Sequence, residues 1–461
     1  MDTASAAAST IAAIATPNAA GGIGLVRISG TDALRVAARV FMSKSGVDVA
    51  KSCGYRVYYG HVRAEDGAAL DEALCTVFRA PKSYTGEDCA EISCHGGLYI
   101  TKRVLRAVLA AGAKPARAGE FTERAYLNGR IALEQAEAVA ALISAQGESA
   151  LKAANGVLGG ALGAKIAAPA DNIAECAAQV AAWVDYPDED IPEPNSAALL
   201  ARLLPARADL AALLKNYENG RVLLEGADAV ICGRPNTGKS TLMNLLCGTN
   251  QAIVTDIPGT TRDVLEAAVR LGEIPLRLAD TAGLRVGGDV VEQIGVERAR
   301  ARIAAADLVF AVLDGSAPLT AEDRELLEGC AARHCVIIIN KTDLPSAIAQ
   351  DDLAKYGKQV VRLSAKTGDG LGELRRAVED ILGTAEFDPA AAMLINERQR
   401  ECCGRAERNL TEAASALQSG MTLDAVQILL DDALNALLEL RGQRASEAVT
   451  NAVFSRFCVG K

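Results

Sequence analysis

Histidine is scarce in this chain: His61, His95 and His334 are all that 461 residues hold. The twelve cysteines never form a Cys-x-x-Cys pair, so the sequence offers neither a zinc framework nor a disulfide scaffold. That usage predicts a reducing, cytoplasmic setting. Half of the residues are hydrophobic and there is one Trp. Even so, no apolar run approaches the ~18 residues of a membrane span, and no membrane association is expected. The Ala-rich opening "MDTASAAASTIAAIATP" has no Lys or Arg before Arg27. A signal or transit peptide needs such charges, so this stretch is expected to belong to the mature protein. Positive charge is also short. A net charge of −10 argues against binding nucleic acid through the overall field, and any RNA contact must use a local patch.

What is present is enough apolar sequence for two to four domains. Residues 1–120 read as an α+β module: "GIGLVRISG", "YRVYYGHV", "EALCTVFRA" and "CAEISCHGG" have strand character, and "YITKRVLRAVLAAGA" has helical spacing. From 121 to 224 the pattern is helical. In "ALEQAEAVAALISAQ" the positions Leu133, Ala136, Val139, Ala140 and Ile143 are expected to form the buried face. The acidic stretch "DYPDEDIPEP" reads as a solvated loop, because it lacks the loop glycine and spacing of an EF-hand. Between 225 and 384, "DAVICG", "IPLRLAD", "DLVFAVLD" and "HCVIIIN" are continuous apolar runs, as in parallel strands buried on both faces. This predicts a doubly wound α/β domain inserted into a helical one, whose second part, 385–461, includes "LDAVQILLDDALNALLEL" and ends in "FCVGK".

The inserted domain carries the strongest motifs. "GRPNTGKST" follows a strand and opens a helix in P-loop spacing, with Asn236, Thr237, Gly238, Lys239, Ser240 and Thr241 at the phosphates. Lys239 is expected on the β and γ oxygens and Ser240 on Mg²⁺. "TDIPGTT" supplies Thr255, Asp256, Ile257, Pro258, Gly259, Thr260 and Thr261, the last completing the Mg²⁺ shell. "DTAG" supplies Asp280 in the Walker-B role, then Thr281, Ala282 and Gly283. "NKTD" (Asn340, Lys341, Thr342, Asp343) selects guanine, since the Asp343 carboxylate accepts from N1–H and the 2-amino group while Asn340 braces the base. "SAK" (Ser364, Ala365, Lys366) is the other base-side loop. Leu284 stands where other G proteins place the glutamine that orients the attacking water, and a leucine cannot do this.

These motifs, with "STIAAIATP…GGIGLVRISG", "YTGEDCAEISCHGG", "GEFTERAYLNGRIALEQAEAVAALI", "VEQIGVERAR" and the terminal "CVGK", make the chain resemble the MnmE (TrmE) family of tRNA-modification GTPases over nearly its full length. The resemblance implies a homodimer joined through the N-terminal module. It also implies a heterotetramer with an FAD-dependent partner, MnmG (GidA), FAD being bound by the partner alone. Together they place an aminomethyl or carboxymethylaminomethyl group on C5 of wobble uridines in certain tRNAs. The one-carbon unit comes from a tetrahydrofolate, in its 5-formyl or 5,10-methylene form.

By the same resemblance, hydrolysis follows juxtaposition of two G domains. K⁺ is held by Asn236, Thr255, Ile257 and Thr260, and Glu292 orients the water. Folate contacts are implied at Arg27, Glu91, Arg130 and Lys461, with Cys458 beside the donor. Arg130 stands where the family usually has lysine, and "NAAGGIG" lacks the family's Pro-Gly-Arg.

Two other classes remain at this point. A ribosome-assembly GTPase would need a KH-like module, and nothing after 385 has a GXXG loop. A pure regulatory switch would need neither the folate-type module nor the Cys-x-Gly-Lys tail.

Overall fold

The computed structural model describes residues 9–186, 191–248, 266–280, 303–330, 332–349, 351–384, 387–388, 391–455, 457 and 459–460. The first module is built on seven strands: β1 Ile11–Ile14, β2 Ile23–Ser29, β3 Phe41–Ser43, β4 Arg56–Arg63, β5 Ala69–Phe78, β6 Cys89–His95 and β7 Lys114–Pro115. Their order is β3-β4-β5-β6-β2-β1-β7. Every neighbouring pair is antiparallel except β1 with β7.

Alternation along the strands decides which face is covered. Val26, Ile28, Cys75, Val77, Ala90 and Ile92 pack into a core beneath the helices Ala33–Val40 and Leu98–Ala110. The opposite face is open. There Tyr59, Leu74, Ser93 and Leu25 form one cross-strand row, and Val57, Thr76, Glu91 and Arg27 form the next. Strand β1 is not evident in the Ala-rich opening, because small residues on both of its sides leave no polar alternation to read. Ile11, Ala12 and Ala13 are all buried.

Four long helices, Ala161–Asp185, Ser196–Glu225, Glu397–Gln418 and Leu423–Leu440, share one apolar core. Two precede the nucleotide domain in sequence and two follow it. The inserted sheet runs β13 (Gln359–Arg362), β12 (Cys335–Asn340), β11 (Leu308–Asp314), β8 (Ala227–Cys232), β10 (Ile274–Asp280), β9 (Glu266–Leu271). All neighbours are parallel except the β9/β10 hairpin. The β11 and β12 side chains from Val309 to Leu313 and from Val336 to Ile339 are buried, as continuous apolar runs require.

The two domains touch beyond their chain connections. The helix Glu148–Leu158 has no side-chain cap of its own. Instead its Glu148 and Ser149 N–H groups donate to Glu273 Oε2 at 2.9 and 3.3 Å, from the tip of the β9–β10 hairpin. A carboxylate at a helix N-terminus satisfies orphan donors and meets the positive end of the dipole. Phe387 packs against the helical core and the G-domain core alike.

One expected helix face is corrected. In Leu133–Ser144, Leu133 and Ala136 are buried with Val139 and Ala140 packed against the same cluster, as expected, but Ile143 is 51% exposed and Glu134, Glu137 and Ala138 are buried as well. Glu137 is inside because of a buried ion pair. Arg398 Nε and Nη2 bond Glu137 Oε1 and Oε2 at 2.6 and 2.7 Å, and Gln399 Nε2 adds a third donor at 2.7 Å. Glu134 Oε2 is buried with no hydrogen-bond partner among the described residues, and burial pushes its carboxyl pKa up.

Candidate nucleotide site and the tail-to-sheet junction

The P-loop leaves the end of β8 and turns through a left-handed Asn236 (φ 62°), a conformation asparagine tolerates better than most side chains. Gly238 has φ +93°, and a Cβ there would lie 2.2 Å from Asn340 Nδ2, so the close approach requires glycine. Lys239 Nζ donates to the carbonyls of Gly233 and Arg234 at 2.8 and 2.7 Å, which holds the ammonium across the mouth of the loop. Thr237 Oγ1 donates to Arg234 O at 3.0 Å. Ser240 and Thr241 lie exposed in the first turn of the helix Lys239–Gly248. The chain's glycines and this cationic side chain therefore fit a bound polyphosphate.

Asn340 ends β12 at 2% exposure. Its Nδ2 donates to Thr237 O at 2.8 Å and its Oδ1 accepts from Ala365 N at 2.9 Å. The amide thus ties the P-loop to the "SAK" loop. Asp343 is exposed, and Ser364 Oγ donates to its Oδ1 at 2.8 Å, which orients the carboxylate. Lys341, at φ 65°, ion-pairs with Asp314 at 2.6 Å. Burial would raise the Asp314 pKa, but the bonds from Lys341 and Ser316 hold it below its ordinary value. Thr342 N reaches Leu363 O at 3.4 Å, and Lys366 is exposed.

A further anchor escaped the motif reading. Arg234 of the P-loop pairs at 2.8 Å with Asp323, which is buried at 2%. Burial alone would push that carboxyl pKa up, and the bonds from Arg234 and Thr320 bring it down. The signal was legible: Thr320-x-x-Asp323 is a capping box, and it starts the helix Ala321–Gly329. Asp280 closes β10, its backbone in register with Ile231 of β8. Thr255, Asp256, Ile257, Pro258, Gly259, Thr260, Thr261, Thr281, Ala282, Gly283, Leu284 and Glu292 lie outside the described residues, as do Cys458 and Lys461.

The second constellation sits on the open face of the N-terminal sheet. Arg27 and Glu91 are opposite each other on β2 and β6 and pair at 2.8 Å. The guanidinium carbon also lies 5.7 Å from the Tyr84 ring centroid and 5.6 Å from that of Phe121. The chain's end returns to this place. Val459 bridges Ala118, and Gly460 O lies 3.4 Å from Arg27 Nη1. Gly460 has φ +103°, and a Cβ there would stand 2.3 Å from Ile14 O. Arg130 is exposed, with its stem beside Gly86 of the "YTGED" loop.

A mostly parallel sheet whose strand ends gather a P-loop, an Asn-Lys-x-Asp loop and a Ser-Ala-Lys loop defines a P-loop G protein. Residues 10–130 match the GTP-binding protein TrmE N-terminus, and residues 133–458 match the MnmE helical domain. The tRNA modification GTPase MnmE of Symbiobacterium thermophilum is 44% identical over 98% of this chain and 99% of its own length. That of Acetivibrio thermocellus is 40% identical over 98% and 99%. Among solved structures, the G domain of the T. maritima FeoB iron transporter is 29% identical, covering 33% of this chain and 97% of that one, with a TM-score of 0.27. The chain belongs to the MnmE family of tRNA-modification GTPases. Among the described residues, no helix is long and apolar enough to cross a membrane.

Proposed function

We propose that this GTPase works with an FAD-dependent partner of the MnmG (GidA) kind, in a heterotetramer. Together they install an aminomethyl or carboxymethylaminomethyl group at C5 of wobble uridine in certain tRNAs. Family membership over nearly the whole chain supports the reading. One observation carries it: the C-terminal segment docks on the open face of the N-terminal sheet, at the Arg27–Glu91 pair. A chain whose only task was to switch on GTP would have no use for that junction.

A tetrahydrofolate, as the 5-formyl or 5,10-methylene form, would supply the one-carbon unit there. Arg27, Glu91, Arg130 and Lys461 would hold it, with Glu91 fixing the guanidinium plane and Tyr84 and Phe121 walling one side. Cys458 would stand close enough to act as a nucleophile or acid/base group. FAD remains with the partner. The apolar residues left open on β4 and β5, Val57, Tyr59 and Leu74, support a homodimer through this module. Dimerisation would tether the two G domains and replace free association by effective concentration. The compartment that fits is the cytoplasm, where tRNA and reduced thiols are found.

At the nucleotide, Lys239 would bring its ammonium to the phosphate oxygens, and Ser240 and Thr261 would hold Mg²⁺. Asn236, Thr255, Ile257 and Thr260 would hold K⁺, which would supply a fixed charge to offset the charge growing in the transition state. Glu292 would orient the water that Leu284 cannot. Replacing K⁺ by Na⁺ at matched ionic strength is expected to slow steady-state phosphate release at least about tenfold. Equal rates in the two salts would exclude a K⁺ role.

The function itself is tested by mass spectrometry of tRNA from a deletion strain, which should lack the modified wobble uridine. Full modification there would overturn the reading. The tail is tested by Gly460→Val, whose side chain cannot fit against Ile14 O. Modification should fall about tenfold or more, while phosphate release stays within about twofold of wild type, because no G-domain contact changes. Retained modification would detach the tail from the chemistry.

A further inference from the structure

The chain carries 58 acidic and 48 basic residues, yet from Leu98 to Gly119 there is no Asp or Glu, while Lys102, Arg103, Arg106, Lys114 and Arg117 all fall there. In the helix Leu98–Ala110 the residues Thr101, Val104, Ala107 and Val108 are buried on the sheet side. Tyr99, Lys102, Arg103 and Arg106 recur at steps of three and four, so they share the outward stripe. Arg39 of the neighbouring helix extends it, donating to Ala111 O at 2.8 Å beyond the C-terminal end.

Several arginines of the chain are engaged with carboxylates, as Arg27, Arg79, Arg117, Arg124 and Arg398 are. None of Lys102, Arg103, Arg106 and Arg39 has a carboxylate within ion-pair distance among the described residues. At the start of the stripe Tyr99 is 74% exposed. Its hydroxyl accepts from Arg103 Nη1 at 3.1 Å, and the guanidinium carbon lies 5.8 Å from its ring centroid.

We infer that the outer face of the helix Leu98–Ala110, with Arg39 at its end, is a docking surface for tRNA. This rests on the tRNA-modifying reading above and names a cationic partner surface on an acidic chain. Unpaired guanidinium and ammonium groups on a rigid helix meet phosphate oxygens without first giving up a carboxylate. The exposed tyrosine, already set against an arginine, offers a stacking platform to an unpaired base. An anionic membrane fits less well. A helix that lies on a bilayer inserts an apolar side opposite its cationic one, and here that side is packed onto the sheet.

The test measures anisotropy of a fluorescein-labelled, unmodified tRNA transcript with the full-length protein, between 50 and 200 mM KCl. Lys102→Glu/Arg103→Glu/Arg106→Glu should weaken binding about tenfold or more and lower the slope of log affinity against log salt by about two to three. Tyr99→Ala should weaken binding several-fold and leave the slope alone. Phosphate release should stay at the wild-type rate in both, which also reports that they fold. Lys165→Glu, which removes a paired cation on the helical domain, should change neither affinity nor slope.

Wild-type affinity and slope in the triple variant would overturn the docking surface. So would wild-type binding to vesicles containing phosphatidylserine in preference to tRNA, lost in the triple variant. Neither outcome touches the function reading, which fails only if tRNA from the deletion strain is fully modified.

Discussion

Asn340→Ala is expected to lose GTP affinity by about 30-fold or more, measured with a fluorescent guanine nucleotide. Its buried amide satisfies Thr237 O on one side and Ala365 N on the other. Truncation leaves a carbonyl and an N–H unpaired, at about 1–3 kcal/mol each. Both loops approach the nucleotide from opposite ends, so strain released in either is paid in binding, with about 1.4 kcal/mol per tenfold. Glu292→Ala should behave in the opposite way. If Glu292 orients the water, nucleotide affinity stays within a few-fold while the hydrolysis rate falls by about 10² or more. Near-wild-type affinity in Asn340→Ala would show that the loops hold without the amide, and a near-wild-type rate in Glu292→Ala would remove that residue from the reaction.

The second large effect is expected far from the nucleotide. Glu137→Ala should destabilise the helical domain by about 3–5 kcal/mol, because it leaves Arg398 buried without its charge partner. Arg398 also donates to Glu439 O and Leu440 O at 3.1 and 3.0 Å, capping the end of the helix Leu423–Leu440. The pair thus joins segments that lie on either side of the inserted domain in sequence. Urea titration followed by far-ultraviolet circular dichroism gives the shift, with the G-domain transition read separately by nucleotide release. Glu137→Leu/Arg398→Met removes both charges, and it should recover most of the loss. A single variant that unfolds at the wild-type urea concentration would show that water reaches Arg398.

The G domain was legible because each of its signals is local. A buried parallel strand must be apolar at every position, as "FAVL" and "VIII" are, and the phosphate loop needs glycine at fixed offsets whatever the rest of the chain does. The family resemblance extended that reading to the N-terminal module and the tail. In Leu133–Ser144 the burial of Glu137 was not legible, since apolar periodicity assigns a glutamate to solvent and Glu137 is inside only because Arg398 and Gln399, over 260 residues away, arrive to meet it. The partners of Asn340 were hidden for a related reason: a motif names a residue, while Thr237 and Ala365 are brought to it by how three loops converge.

By itself the sequence determined the nucleotide class, the insertion of one domain in another and most strand positions, all through short-range rules of spacing and polarity. Only the tertiary structure decided that Gly460 O itself meets Arg27, that Glu273 caps a helix of the other domain and that Lys102, Arg103 and Arg106 have no carboxylate within ion-pair distance among the described residues. Each of these depends on side chains brought together from distant parts of the chain, or kept apart from any carboxylate. No local pattern encodes that.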